Sequence, residues 1–368
     1  MGQAARYDLC GECGSGAGRE RDDLGRWIYP AVLPDGRTVM LLKILLSNVC
    51  EKDCYYCANR ASRDFRRVSF TPEELAGVFD QMQRKGLVKG LFLSSGVCAG
   101  SRRTMDQMIA TVELVRQKYK FPGYVHLKLL PGASQAHVER AVQLATRVSI
   151  NLEAPTPERL AKIAPRKDFN SSLLEPMYWV KRLMEKAEGR IIPAGQTTQF
   201  VVGAADETDQ EILDITARLY REVNLARAYF SAFQPIPDTP LEDKQPTSPL
   251  REHRLYQSDF LMRRYGFRFE DFVFDEEGNL PAEADPKMMW CLKHPELFPM
   301  EINRASKEEL LRVPGIGPRS AERIIRQRRS GTFRTLEELG RVGAVANRAA
   351  PFILLDGKRP PFQLSLWP

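Results

Sequence analysis

Short apolar segments alternate with segments of helical periodicity along most of the sequence, and this alternation constrains the fold more than any other feature. Such alternation is typical of βαβ units, which build a parallel sheet. No G-x-G-x-x-G sequence follows the first apolar segment, so the pattern favours an α/β fold of the partial (β/α)6 TIM-barrel type over a dinucleotide-binding fold. We predict six strands, at Val39–Leu46, Gly90–Ser94, Tyr124–Leu129, Arg147–Glu153, Thr197–Val202 and Ala228–Phe233.

The chain has 368 residues, which is enough for more than one domain. We predict an N-terminal extension over residues 1–36, the barrel over 37–290 and a small all-α module over 291–368. The net charge is +7, and residues 301–358 hold 12 basic and 7 acidic side chains, a net of +5. A basic module on a nearly neutral body indicates a polyanionic partner, although a solvated arginine-rich surface gives the same excess.

The sequence predicts neither a membrane span nor a secretory signal. Its longest apolar segment contains Lys43 and is less than half of the roughly 20 residues that a spanning helix needs. The first residues lack the apolar run of a signal peptide. Seven cysteines, an odd number, argue for a reducing compartment rather than a disulfide framework. We therefore expect a cytoplasmic protein.

Three cysteines form a C-x3-C-x2-C array directly after the first predicted strand, at Cys50, Cys54 and Cys57. Three thiolates on one short loop can hold a metal ion or a cluster. Structural zinc sites usually take four ligands arranged as two pairs, and here no second pair stands at a finger-like distance. A four-iron cluster on three thiolates leaves one iron open to a small molecule. The residues alone leave structural zinc as the alternative.

This array, with Tyr56 immediately before its last cysteine, resembles the signature of the radical SAM superfamily. The resemblance implies a partial (β/α)6 barrel in which the three cysteines hold a 4Fe-4S cluster. It also implies that the open iron binds S-adenosylmethionine (SAM), and that an external electron donor drives its cleavage to a 5′-deoxyadenosyl radical. An enzyme is therefore expected.

The same resemblance implies a SAM pocket beside the cluster, with Tyr56 at its edge. Ser94, Ser95 and Gly96 stand where the superfamily binds the methionine amino group, and Arg166 and Lys167 are candidates for the SAM carboxylate. Glu153 corresponds to the position near the ribose, while Gly203 and Gln234 lie in segments that line adenine. The alternatives are a satisfied strand-end carboxylate at Glu153 and solvated charges at Arg166 and Lys167.

Three further cysteine positions have two interpretations each. Cys98 follows the second predicted strand, where it is either a catalytic thiol on the substrate side or a small buried hydrophobic residue. Cys10 and Cys13 either supply two ligands of an auxiliary cluster, completed by Cys98 and Cys291, or belong to a mobile Gly-rich tail.

The last module contains a helical hairpin. Ser306 is predicted to cap a helix with Glu309 at its third position, a Pro-Gly-Ile-Gly turn follows, and a second helix begins at Pro318. Such a turn presents free backbone N–H groups at a helix N-terminus, where a phosphate can bind. A weaker second copy spans residues 333–349, and its turn lacks the second glycine.

The hairpin resembles the helix-hairpin-helix motif of DNA-binding and repair proteins. The resemblance implies that Gly315 and Gly317 allow close backbone approach and that Ile316 anchors the turn. It implies DNA contacts by this turn together with three residues of the second helix, Arg319, Ser320 and Arg323. A hairpin with a purely structural or protein-binding role is the alternative.

Together, the two motifs resemble a family of radical SAM proteins associated with DNA modification or repair. That family accompanies a uracil-DNA-glycosylase-like partner. The implied function is radical modification or repair of duplex DNA held by its backbone, without sequence specificity. Two alternatives stay open: a radical SAM enzyme that modifies tRNA or another RNA, and a zinc-containing nucleic-acid-binding protein without catalysis.

Overall fold

The computed structural model describes residues 28–32, 38–187, 189 and 191–362. They divide into two compact units. The barrel unit comprises the described residues up to Glu207 together with Arg218–Ser248, and the hairpin unit comprises Thr208–Ala217 together with the described residues from Pro249 onward. The predicted domain boundaries after residues 36 and 290 stay predictions.

A single curled sheet of seven strands forms the barrel unit, with the strands in chain order across the sheet. Strands β2 to β7 are parallel, which confirms the predicted partial (β/α)6 barrel. The strands are β1 (Ile28–Val32), β2 (Thr38–Leu45), β3 (Gly90–Ser94), β4 (Tyr124–Lys128), β5 (Arg147–Ser149), β6 (Gln196–Val202) and β7 (Leu225–Ala232).

Helices follow the parallel strands. They are α1 (Pro72–Arg84), α2 (Ser101–Glu113), α3 (Gln135–Leu144), α4 (Pro157–Ile163), α5 (Glu175–Lys186) and α6 (Asp209–Glu222). The start of α1 is the one that the sequence predicts: Thr71 accepts a hydrogen bond from the amide of Glu74, whose carboxylate accepts one from the amide of Thr71.

Two strands differ most from the prediction, while the others shift by at most three residues at an end. Strand β1 lies within the predicted N-terminal extension and pairs antiparallel with β2. It contains Pro30, which lowers strand propensity but is compatible with an edge position. The fourth predicted strand, Arg147–Glu153, ends at Ser149, because the chain then leaves the regular ladder and Glu153 adopts a positive φ of 67°. Glu153 makes only an isolated bridge to Phe200.

The hairpin unit is mainly helical. Its helices are α7 (Pro249–Tyr265), α8 (Pro286–Lys293), α9 (Lys307–Arg312), α10 (Pro318–Gln327), α11 (Leu336–Arg341) and α12 (Ala346–Ala349). Two short strands, β8 (Met300–Glu301) and β9 (Ile353–Leu354), pair in parallel. Leu310, Val313 and Ile324 are fully buried in one apolar core, as their spacing predicts. Among the described residues, no helix has the length and apolarity needed to cross a membrane.

Candidate functional site

The cysteine loop leaves the sheet at the carboxyl end of β2 and returns to α1. Its base is closed by backbone hydrogen bonds from Phe70 to Leu46 (2.9 Å) and from Asn48 to Val68 (3.2 Å). Cys54 is buried, whereas Cys50 and Cys57 are half-buried. All three line one cavity of about 520 Å³ at the carboxyl ends of the strands. The described part of the chain therefore brings the three predicted ligands to one wall of one cavity.

The side chain of one arginine, Arg67, holds this loop in place through hydrogen bonds to its backbone. The Arg67 guanidinium donates to the backbone carbonyls of five loop residues, which are Asn48 (2.8 Å), Asn59 (2.9 Å), Arg60 (2.5 Å), Ala61 (3.4 Å) and Arg63 (2.9 Å). It also lies 3.8 Å from the centroid of the Phe65 ring. Because each donor of a guanidinium points in a fixed direction, these bonds define the path of the loop on both sides of the cysteines.

Two further side chains fix the loop. The Asn48 amide donates to the carbonyl of Arg66 (3.1 Å) and accepts from the amide of Val68 (2.7 Å). The Asp53 carboxylate accepts from the Arg60 guanidinium at 2.7 Å, and this hydrogen bond holds the pKa of Asp53 well below its usual range. Asp53 therefore stays ionised and tethered between the first two cysteines.

The segment after β3 packs directly against the cysteine loop. Gly96 donates to the carbonyl of Ser47 (2.7 Å), and the amide of Glu51 donates to the carbonyl of Val97 (2.8 Å). A Cβ at Gly96 would lie 2.3 Å from the carbonyl oxygen of Val49, so no larger residue fits. Glycine is required here for close packing of the two loops.

A buried ion pair lies beside the cysteines in the cavity. The Lys167 ammonium lies 3.1 Å from Glu153 Oε1, and both side chains are 9% exposed. The same ammonium is 3.2 Å from the Tyr56 hydroxyl. Burial acts to lower the pKa of Lys167, but the charges of Cys54 and Glu153 outweigh it and raise the pKa above its usual value. Lys167 therefore stays cationic and connects the cysteine loop with the Glu153 carboxylate.

Most of the SAM-pocket residues predicted from the resemblance line this cavity. They are Tyr56, Ser94, Ser95, Gly96, Glu153, Lys167 and Gln234. The cavity is also lined by polar side chains that the sequence analysis missed, among them Lys128, Asn151, Gln199 and Ser231. Period-two alternation along β4, β6 and β7 places three of them on the inner face of the sheet, so strand register would have been the signal for finding them.

Three of the predicted residues, Cys98, Arg166 and Gly203, do not line the cavity. The Cys98 amide donates to Thr104 Oγ1 at 2.9 Å, in the turn that starts α2. Arg166 donates to the carbonyl of Glu51 at 3.4 Å, and Gly203 adopts a positive φ of 86° and bonds to Glu207. Cys291 is buried in the hairpin unit, where its thiol donates to the carbonyl of Arg312. Cys10 and Cys13 lie outside the described residues.

The three thiols of the cysteine loop are a suitable donor set for a 4Fe-4S cluster. Cys50, Cys54 and Cys57 are all free of disulfides and face one cavity. Within the described ranges, no three His, Cys, Asp or Glu side chains converge as the ligands of a single metal ion do. Cluster ligands bind separate irons and need not converge in that way. Burial raises the pKa of Cys57 to about 12, and metal coordination deprotonates such a thiol.

The helical hairpin has the predicted caps. Ser306 and Glu309 form the capping box that starts α9, and Gly317 precedes α10 without a side-chain cap. Gly315 has a φ of +84°, and a Cβ there would lie 2.5 Å from the carbonyl oxygen of Val345 in the second turn. Gly315 therefore allows close approach of the second hairpin turn. The sequence analysis expected this glycine to allow close approach of a ligand.

Three predicted contact residues differ in exposure. Arg319 and Arg323 are exposed on α10, as a phosphate-binding surface requires. Ser320 is 5% exposed, and its hydroxyl donates to the carbonyl of Gly343 at 2.7 Å. Ile316 is buried in the core, as its role of anchor predicts. The Ser320 hydroxyl therefore joins the two turns, which sequence reasoning could not anticipate because the bond depends on how the hairpins pack.

Two segments of the chain match known families. Residues 44–219 match the sequence model of the Radical SAM superfamily, and residues 299–349 match that of the helix-hairpin-helix motif. A tRNA-2-methylthio-N(6)-dimethylallyladenosine synthase of Geobacillus kaustophilus (strain HTA426) is 24% identical over 208 residues. The match covers 55% of this chain and only 37% of that relative.

Solved structures of radical SAM enzymes have a lower sequence identity to this chain than the curated relative does. The FeFe-hydrogenase maturase HydG from Carboxydothermus hydrogenoformans is 14% identical, with a TM-score of 0.48, over 60% of this chain and 51% of that chain. Methylornithine synthase is 16% identical, with a TM-score of 0.46, over 59% and 61% of the two chains.

The family matches identify the class of protein. The chain carries a radical SAM domain followed by a helix-hairpin-helix motif, as the sequence predicted. Radical SAM domains are catalytic and use a 4Fe-4S cluster together with SAM, so this chain is an enzyme with those cofactors.

Proposed function

We propose that this radical SAM enzyme modifies or repairs a nucleic acid that its helix-hairpin-helix module holds, with DNA as the favoured substrate. The observation that carries the proposal is the presence, in one chain, of a three-cysteine cavity and a hairpin with exposed arginines. Chemistry on a base or sugar inside a duplex requires extrusion of the nucleotide or a single-stranded site. We expect one of these in the productive complex.

In this proposal Cys50, Cys54 and Cys57 hold the cluster, and the other cavity residues hold SAM. A cavity of about 520 Å³ is within the range typical of small-molecule sites. The bound cofactors supply the 5′-deoxyadenosyl radical. The chain contributes the enclosure: Gly96 brings the β3 loop against the cysteines, while Lys167 holds Glu153 and Tyr56 in fixed positions. Arg166, Gly203 and a catalytic Cys98 remain predictions without a place in this cavity.

The hairpin is proposed to bind phosphates through the turn 315–317 and through Arg319 and Arg323. Exposed arginines beside an uncapped helix N-terminus favour anions. Such backbone contacts carry no sequence information and make binding strongly salt-dependent. The +5 charge of residues 301–358 supports a polyanionic partner.

Salt-dependent binding tests this role of the hairpin. We expect Arg319→Ala to reduce the slope of log affinity against log salt by about 1, the value for one lost phosphate contact. Arg341→Ala, an exposed arginine of α11 in the second hairpin, is the matched control and should leave the slope unchanged. Equal slopes for wild type and Arg319→Ala would remove Arg319 from the contact surface.

RNA is the second candidate substrate, because the curated relative from Geobacillus kaustophilus is named for a modification of tRNA. That relative is matched over 37% of its length, so its substrate enters here only as a proposal. Competition between duplex DNA and tRNA at one salt concentration separates the candidates. Tighter binding of tRNA would overturn the DNA proposal and leave the radical SAM assignment intact.

The proposal also includes partners and a compartment. An external electron donor must reduce the cluster, and a uracil-DNA-glycosylase-like protein is the partner that the family resemblance implies. The cysteine content favours the reducing cytoplasm. Metal analysis after anaerobic purification tests the alternative without catalysis: stoichiometric zinc without iron would establish it.

A further inference from the structure

Helix α7 of the hairpin unit presents an aromatic side chain to solvent. Phe260 is 46% exposed, although phenylalanine is normally buried. Helical spacing places Arg264 on the same face one turn later, and Arg264 is also exposed. An exposed phenylalanine beside an arginine is a feature that the core of this unit does not explain.

The Phe260 ring is linked to the first hairpin turn through Tyr265. It makes an edge contact with Tyr265, with ring centroids 5.7 Å apart. The Tyr265 hydroxyl, in turn, lies 3.2 Å from the point where a Cβ on Gly317 would stand. All of these residues belong to the hairpin unit. The exposed ring therefore adjoins the turn that is proposed to bind phosphate.

Each ring of this aromatic pair has a basic side chain beside it. The Lys287 ammonium lies 4.7 Å from the centroid of Tyr265 and donates to the carbonyl of Ile316 at 2.7 Å. The Arg263 guanidinium lies 5.9 Å from the centroid of Phe260. Asp259, the acidic residue next to Phe260, is fully buried and bonds to Arg263. Lys287 is buried beneath the rings and Arg263 is paired with Asp259, so a ligand meets the exposed Phe260 ring beside the exposed Arg264 cation.

That chemistry selects a nucleic acid as the occupant. Aromatic rings inside a basic surface are how proteins bind single-stranded nucleic acid, because a base stacks on the ring while cations attract the backbone. An apolar protein partner would not require the cations, and paired bases inside a duplex have no free face to stack. The complementary ligand is an unpaired base whose neighbouring phosphate reaches the hairpin turn.

We propose that Phe260, supported by Tyr265, is a stacking platform for an unpaired base next to the phosphate-binding hairpin. The proposal rests on the nucleic-acid-binding function proposed above and refines it. The preferred substrate is then a junction between duplex and single strand, or a gapped or unpaired site, rather than a fully paired duplex.

Fluorescence anisotropy with two probes tests the platform. One probe is a DNA duplex, and the other is the same duplex with a single-stranded extension. We expect Phe260→Ala to weaken binding of the extended probe about 5- to 150-fold, the equivalent of one lost stacked base, and to leave binding of the duplex unchanged. Phe260→Trp should retain the wild-type affinity for both probes.

The control is Leu292→Ala, which removes a side chain of α8 that is 60% exposed. It should leave both affinities unchanged. A direct reading comes from 2-aminopurine in the extension: wild type and Phe260→Trp should quench its fluorescence by stacking, and Phe260→Ala should not.

Failure of the stacking platform and failure of the proposed function give different results in this experiment. If wild type binds the duplex, and Phe260→Ala binds each probe as tightly as wild type does, the platform is overturned while the proposed function stands. If wild type binds neither probe, the proposed function on DNA fails and the platform fails with it. If wild type self-associates and Phe260→Ala abolishes this, the ring belongs to a contact between copies of the chain, which also overturns the platform.

Discussion

The cysteine loop and the first hairpin turn are each supported by a cation bonded to backbone carbonyls, but the two cations differ in kind. Arg67 donates to five carbonyls of the cysteine loop. Lys287 is buried and donates to one carbonyl, that of Ile316. A guanidinium stays charged at any physiological pH, whereas a buried ammonium readily loses its proton. The support of the cysteine loop is therefore independent of pH, and the support of the hairpin is not.

The two regions also differ in where their charges face. In the cavity, Lys167 and Glu153 are buried and neutralise each other. On the hairpin, Arg319 and Arg323 face solvent. A cavity with internally paired charges suits a small molecule such as SAM, while an open cationic surface suits a polyanion.

The largest expected effect separates the two regions. Cys54→Ala should abolish assembly of the iron cluster, because three thiolates are the minimum donor set for this site. Nucleic-acid binding by the hairpin should be unchanged. Iron analysis and the visible absorbance of the reconstituted protein measure the first outcome, and anisotropy measures the second. Cys98→Ala is the control and should keep its iron; a Cys54→Ala protein with normal iron content would overturn the ligand assignment.

The next effect concerns the ion pair of the cavity. Lys167→Met leaves the Glu153 carboxylate buried without its partner, which should lower the free energy of unfolding by about 3–5 kcal/mol. The double variant Lys167→Met/Glu153→Gln should recover much of this loss. Urea unfolding of the four proteins in the cycle measures the coupling between the two residues.

An exposed pair provides the matched control for that cycle. Lys181 and Glu185 on α5 are 3.5 Å apart and their side chains are 32% and 60% exposed, so Lys181→Met should cost less than about 1 kcal/mol. Equal losses for Lys167→Met and Lys181→Met would contradict the buried role of the cavity pair.

The effect that is smallest over one pH unit is a pH dependence confined to the hairpin unit. Burial lowers the pKa of Lys287 to about 7, and an unfolded lysine titrates near 10.5. Between these values the unfolded chain binds more protons, so the stability of the unit should rise with pH, by at most ~1.4 kcal/mol per pH unit. Hydrogen exchange of the hairpin amides across this range measures the rise.

Lys287→Met should remove this rise, since it replaces the titrating group with an apolar side chain of similar length. The amides of the cysteine loop, which Arg67 supports, should show no comparable dependence in either protein. Parallel pH profiles for wild type and Lys287→Met would show that Lys287 does not carry the effect.

Local sequence signals predicted the elements well. The capping boxes at Thr71 and Ser306 involve residues three apart, so they can be read without knowing the fold. The strand β1 was missed because Pro30 argues against a strand, and only its edge position makes the residue acceptable. The cysteine array was found for the same reason as the caps: its spacing is local.

Long-range partners could not be predicted in this way. Arg67 carries no motif, and its five acceptors become visible only when the loop is folded. Lys128 and Gln199 point into the cavity because of strand register, which is set between distant segments. The bond from Ser320 to Gly343 likewise depends on the packing of two hairpins. Sequence reasoning therefore located the site but not the contacts that shape it.

The most direct test of the account is release of 5′-deoxyadenosine from SAM by the anaerobically reconstituted full chain with a strong reductant. The reaction is compared without nucleic acid, with DNA carrying a single-stranded extension, and with tRNA. We predict that release requires the cluster and is stimulated by the DNA substrate. Release that no nucleic acid stimulates, from protein with a complete cluster, would contradict the claim that the two regions serve one reaction.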